Sequence, residues 1–174
     1  MTVLAMNELY SDRMLERPRQ QVAVVLEREA VESRWESHRW SLVGVVPDVG
    51  GEARMILDAP PLQRFLHPGF ELTLFPDEAE GYYLNVSSDE PSIFISLRTP
   101  ETGDPYPFQA TLSYNEAARW MDSNERVERA LAGPELIAWM GTWVEANYRP
   151  EPKKRQRPRS FEGKEGRFRK EGSS

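Results

Sequence analysis

Apolar and polar positions divide the chain into a long stretch that alternates with period two and a later stretch with a helical period. Residues 22–29, VAVVLERE, place apolar side chains at every position from 22 to 26, the pattern of a strand buried on both faces at its start. A polar turn, ESRWESHRW, leads to a second β-rich run, WSLVGVV at 40–46, which stops at Pro47. After the turn signal DVGG comes a short run from Arg54 to Leu57, and these three runs read as neighbouring antiparallel strands. Alternation is clearest further on. Phe70, Leu72 and Leu74, then Tyr82, Leu84 and Val86, then Ile93, Ile95 and Leu97, then Phe108, Ala110 and Leu112 each line one face of a strand. The intervening PDEAEG, SSDEP and PETGDPYP are turn-forming, so the whole reads as an antiparallel meander of about seven strands, one face buried and one wet.

The period then changes. Ser113 and Glu116 have the spacing of a capping box, which predicts a helix from near Tyr114 to about Asp122. Gly133-Pro134 opens a second helix, where Leu136, Trp139, Met140, Trp143 and Val144 recur at i, i+3, i+4, i+7 and i+8. That tryptophan-rich stripe needs cover, and the apolar face of the sheet supplies it. The fold class is therefore α+β: an antiparallel β-meander, half-barrel or barrel-like, packed or capped by C-terminal helices. With 174 residues the chain has material for one core, placed at 21–148, and no internal repeat is present.

Charge sharpens the boundaries. The chain holds 22 Lys+Arg and 28 Asp+Glu for a net of −6; residues 149–174 carry 10 and 4 of these, leaving 12 and 24 before them. An acidic body of −12 thus precedes a basic tail of +6 that contains all four lysines. Its large apolar residues are Phe161 and Phe168, too few to offset the entropy of ordering it, so 149–174 is expected to be disordered and 1–20 to form a flexible, polar N-terminal arm.

The absence of cysteine excludes disulfides, thiolate nucleophiles and Cys-ligated metals, and His38 and His67 are too few for a His-rich site. The chain contains neither GxxxxGK[ST] nor GxGxxG. Asp77, Glu78 and Glu80 read as a solvated hairpin tip, and His67, before Pro68, as a turn residue. No cofactor and no metal are expected. No membrane-length apolar run is present, and the start lacks the basic and apolar regions of a signal peptide, which implies a cytoplasmic protein without membrane insertion.

The densest polar and aromatic cluster is Arg34-Trp35-Glu36-Ser37-His38-Arg39-Trp40. Trp and Arg combine contact area with directional donors, so this segment is a candidate partner-binding patch. On the plainer reading, Trp40 begins a core strand, Trp35 covers its edge and the charges are solvated. Glu36 and His38 share one face of a strand and could form an acid/base pair, but no nucleophile accompanies them, so the reading is non-enzymatic. The tail, with Arg155, Arg157 and Arg159, suits an acidic protein partner first, the acidic body second and nucleic acid third, since a body of −12 repels a polyanion.

Three stretches, 24–48, 77–98 and 106–157, resemble a bacterial family with a domain of unknown function, over roughly residues 20–157. The most specific parts are the paired-tryptophan segment with Gly44-Val45, the stretch from Tyr83-x-Asn85 to Pro91, and the basic run after Tyr148. Genes of that family lie in molybdenum- or tungsten-dependent formate dehydrogenase clusters. The resemblance implies an accessory protein that docks a formate dehydrogenase subunit or maturation factor through Arg34, Trp35, His38, Arg39 and Tyr83, helped by the basic arm. It also leaves room for a small-ligand or molybdopterin-type binder with Arg34, Arg39 and Arg98 on the phosphate, and for a weak nucleic-acid-binding regulator acting through the tail.

Overall fold

A computed structural model describes residues 17–152; the basic tail from residue 153 on, including Arg155, Arg157 and Arg159, and most of the N-terminal arm lie outside the described residues. Seven strands form two antiparallel sheets that do not close into a barrel. The first sheet contains β1 (Arg19–Ala30), β2 (His38–Pro47), β3 (Arg54–Ala59) and β4 (Leu62–Thr73) in the order β2-β1-β4-β3. The second contains β5 (Ser92–Arg98), β6 (Tyr106–Thr111) and β7 (Arg126–Leu131) in the order β6-β5-β7. Three helices follow the alternation of the second half: α1 (Ala79–Val86), α2 (Tyr114–Asp122) and α3 (Pro134–Asn147). The α+β class expected from the sequence holds.

β1 is central because its run 22–26 is apolar at every position. Val22, Val24 and Leu26 enter the main core, while the alternate Ala23 and Val25 join Leu66 in a second small cluster. β5 is buried on both faces for the same reason: Ile93, Ile95 and Leu97 meet the first sheet's side chains in the main core, and Phe94 meets Tyr114 of α2 edge-on at 5.9 Å. α3 buries Met140 and Val144, and its Trp143 sits edge-on to Tyr82 of α1 at 5.5 Å. The expected tryptophan stripe is thus real, and α1 shares in covering it.

Several expectations need correction. β3 does not lie beside β2; it pairs with β4 at the far side of the first sheet. Tyr82, Leu84 and Val86 are helical, because Ala79, Tyr82, Tyr83 and Val86 also fit i, i+3, i+4, i+7, and the helical choice buries Tyr82 and Asn85 while leaving Leu84 outside. The seventh strand is instead β7, whose RVERAL sequence has little apolar weight. His67 belongs to the interior of β4, opposite Val24, and not to a turn. A bulge there accommodates Pro68, which has no N–H to give, and Gly69, whose φ of 93° favours glycine. The Gly69 N–H donates to the Asp48 carboxylate at 2.9 Å. Burial lowers the pKa of His67. At the chain's start, Arg19 and Gln20, placed by sequence in the arm, already belong to β1.

Side chains from β7 occupy two backbone groups on the free edge of β2. The Leu42 N–H donates to the Glu128 carboxylate at 2.9 Å, and the Arg126 guanidinium donates to the Trp40 carbonyl at 3.3 Å. With these two groups occupied, the edge is less open to pairing with another chain there.

The second sheet is tied to the helices by Asn85, 1% exposed. Its Nδ2 donates to the carbonyls of Ser92 at 2.7 Å and Leu112 at 2.8 Å, and its Oδ1 accepts from the Ser92 N–H at 2.9 Å. Asn85→Ala strands three buried backbone groups and is expected to cost about 3 kcal/mol in urea unfolding. Asn85→Asp sets a carboxylate against two carbonyl oxygens; it should be less stable than Asn85→Ala at neutral pH and regain stability as pH falls and the acid takes up a proton.

Candidate functional site

The hairpin between β1 and β2 carries four of the body residues singled out by sequence. Its loop spans 31–37, closed by the Val31 N–H donating to the Ser37 carbonyl at 3.1 Å, and the Ala30 N–H donates to the Pro61 carbonyl at 2.9 Å in the β3–β4 turn. Within the loop the Trp35 N–H donates to the Ser33 hydroxyl at 3.2 Å. The Trp35 indole is 91% exposed, with exposed Arg34 and Glu36 on either side. His38 begins β2, with Nδ1 3.0 Å from the Ser37 hydroxyl, so its partner is that hydroxyl and not Glu36. Arg39 stands opposite Glu29 in the ladder.

Trp40 turns the other way. Its ring lies 5.5 Å from that of Phe65, and the Arg28 guanidinium sits over both, 5.6 Å from the Trp40 centroid and 5.1 Å from that of Phe65. Arg28 is held in turn by Gln63 Oε1, which accepts from its Nε at 2.9 Å, and by Asp104 at 3.7 Å. The root of the hairpin is therefore anchored by stacked side chains, and its tip projects. Trp40 takes the structural role foreseen for it; Trp35 covers no edge.

The remaining candidates are elsewhere. Tyr83 lies on α1 with its ring 5.1 Å from Tyr148, away from the hairpin loop in both sequence and packing. Arg98 is committed to Glu125 at 2.8 Å and to the face of Phe108 at 3.4 Å. A cavity of about 410 Å³ opens between the start of β1 (Gln20, Val22), the end of β2 (Val45, Pro47) and the start of α3 (Gly133, Leu136). None of Arg34, Arg39 and Arg98 lines it.

A second polar cluster joins α1 to α2. The Ser113 hydroxyl caps α2 by accepting from the Glu116 N–H at 3.1 Å, and it donates to Glu78, which also binds Arg119. Glu78 is thus a half-buried linchpin at the end of a 3-10 turn, Pro76–Glu78, and not part of a solvated hairpin tip. The expected capping box is half formed: the Ser113 N–H donates to the Thr111 hydroxyl at 3.0 Å instead of to Glu116. α1 packs so closely here that a Cβ on Gly81 would stand 2.0 Å from the Ser113 hydroxyl, which explains the glycine. With its hydroxyl doubly committed, Ser113 is a strut and not a nucleophile. Among the described residues no three His, Asp or Glu side chains group as metal ligands, and no helix is long and apolar enough to cross a membrane.

Residues 21–157 match the model of a family described as "Protein of unknown function (DUF3305)". The chain belongs to this family. The DUF3305 match begins within β1 and ends beyond α3, so it takes in the hairpin, both sheets and all three helices. No curated protein and no solved structure matches the chain.

In this DUF3305 domain the residues that sequence reasoning missed are Asn85 and Glu78. Asn85 was noted only as part of the family-like stretch Tyr83-x-Asn85, and its role left no signal, because a lone amide in a run of apolar residues looks the same inside as outside. Glu78 was concealed by its acidic neighbours Asp77 and Glu80, which face solvent. Glu116 provides a test of the cluster. Burial pushes its carboxyl above the usual range, with Glu78 adding to the shift and Thr111 and Arg119 opposing it. The folded state then binds this proton more tightly than the unfolded chain. Its contribution is fully present below the unfolded pKa and is lost as pH rises through the raised folded value. Glu116→Gln should abolish that loss: a stability-against-pH profile is expected to be flatter on the acid side than the wild type's, with stability at neutral pH at least equal.

Proposed function

We propose that this DUF3305 protein is a non-enzymatic accessory protein that works in the cytoplasm and docks a formate dehydrogenase subunit or one of its maturation factors. The docking surface is the hairpin tip bearing Arg34, Trp35, His38 and Arg39, with Arg155, Arg157 and Arg159 of the basic tail as a second, electrostatic contact. One observation carries the reading: Trp35 is 91% exposed at the tip of a hairpin whose root is fixed by the Trp40, Arg28 and Phe65 stack. An indole beside the Arg34 guanidinium gives large contact area and directional donors, and a rigid mount lowers the entropy lost on binding. Charge supports the tail's part, since a +6 segment on a −12 body favours encounter with an acidic partner. The molybdoenzyme context comes from the family resemblance of the paired-tryptophan segment and the basic run. Tyr83 is left out of the surface because its ring packs on Tyr148.

Trp35→Ala and Arg39→Ala should each leave the unfolding free energy within about 0.5 kcal/mol of wild type, because neither side chain is buried. Partner affinity is a different matter: loss of Trp35 should cost about 2 kcal/mol, roughly 30-fold in Kd. Affinity capture of full-length tagged protein from its native host grown with formate is expected to retain a formate dehydrogenase subunit or maturation factor, and the W35A/R39A variant to retain neither. Capture undiminished in the double variant would remove the hairpin from the interface. A retained set without any formate dehydrogenase component would remove the proposed partner.

A further inference from the structure

The β1–β2 hairpin carries a knob at one end and a hole at the other. The knob is Trp35, 91% exposed at the tip, with Arg34 beside it. The hole is the cavity of about 410 Å³ between the start of β1, the end of β2 and the start of α3, which has room for an indole. Its walls are apolar: Val22, Val45, Pro47 and Leu136 line it. Its one charged lining residue is the exposed Glu135, in the first turn of α3. Among the described residues neither Arg34 nor Glu135 has an ion-pair partner.

We propose that the cavity receives Trp35 of a second copy of this chain, with Arg34 of that copy on Glu135, so that two copies close into a dimer through a pair of identical contacts. The chain's own tip cannot be the occupant. From Gln20, at the cavity, to Ala30, at the root of the tip, β1 spans about 34 Å of extended strand. A tip and a cavity at opposite ends of one hairpin suit two-fold pairing: when two hairpins lie antiparallel, each tip reaches the other's cavity, and the assembly closes instead of growing. Charge and polarity favour the same partner. The indole meets an apolar wall, the guanidinium meets a carboxylate, and the Gln20 carbonyl oxygen can accept the indole N–H. The inference rests on the exposed tip and not on the client's identity. Because the same indole is the centre of the proposed docking surface, the dimer sheathes it while no client is bound.

Sedimentation equilibrium of the full-length protein from about 1 to 300 μM, the range for a small interface, is expected to show monomer and dimer in exchange. Trp35→Ala should weaken the dimer about 30-fold. Arg34→Glu and Glu135→Arg should each weaken it, and the two together should recover most of that loss; all three residues are exposed, so the fold tolerates the changes. A wild type that stays monomeric, a dimer unchanged by Trp35→Ala, or a double charge reversal no tighter than either single variant would overturn the proposal. So would assemblies that keep growing with concentration, because the contacts would then not close. Glu135→Arg leaves the tip intact, so it should capture a formate dehydrogenase component from the native host at least as well as wild type, and dimerisation and docking are thereby read separately. Weaker capture by this variant would overturn the sheathing, since the cavity would then help to hold the client.

Discussion

Asn85 occupies the point where the second sheet runs out of backbone partners. The β5–β6 ladder ends at the pair Phe94–Thr111, because the chain leaves β6 there to begin α2. Ser92 and Leu112 would otherwise bury bare N–H and C=O groups in an apolar interior. The carboxamide of Asn85 has one acceptor and two donors facing them, the same complement that another strand would have offered, and it comes from a helix. This lets α1 lie close against the second sheet, with Tyr82 buried beside Asn85 and Trp143 of α3 packed on Tyr82. The Tyr82 hydroxyl carries the connection to the first sheet by accepting from the Phe75 N–H and donating to the Thr73 carbonyl at the end of β4. Burial pushes its pKa up to about 12.

The sequence was most legible where one period explained the apolar positions and least where two did. β1, β2, β5 and β6 followed from runs too rich in β-branched and aromatic residues to read otherwise, and the stripe of α3 from five positions at helical spacing. The segment 79–86 satisfied both periods, and what decides between them, the fit of Asn85 to Ser92 and Leu112, is a tertiary fact with no local trace. β7 was hidden because its strongest contributions are charged: Arg126 and Glu128 serve the edge of β2, and a search for apolar alternation passes over them. In the hairpin, Arg34, Trp35, His38 and Arg39 stay together, as their spacing in the sequence implies. The sequence could not separate Trp35 from Trp40, since the difference lies in Arg28 and Phe65 at distant positions.

The hairpin and the β2 edge show two uses of the same residue classes. Arg126 and Glu128 spend their hydrogen-bonding capacity on backbone groups that would otherwise invite a foreign strand. Arg34 and Arg39, with Trp35 beside them, are left facing water. The exposed side chains of the loop thus lie beside a strand two of whose edge backbone groups are already occupied, so that edge has fewer free groups to offer a foreign strand.

The division of the fold along the chain has a further consequence. All strands of the first sheet are complete at Thr73, whereas the second sheet and α3, which cover its core face, finish only at Asn147. A nascent chain therefore carries a finished sheet with Val22, Val24, Leu26 and Leu72 uncovered while over 70 more residues are made, about 4 to 15 s at ordinary rates of synthesis. During that interval the sheet is a sticky intermediate, and the protein's yield in the cell rests on how well that first half is sheltered until α3 emerges.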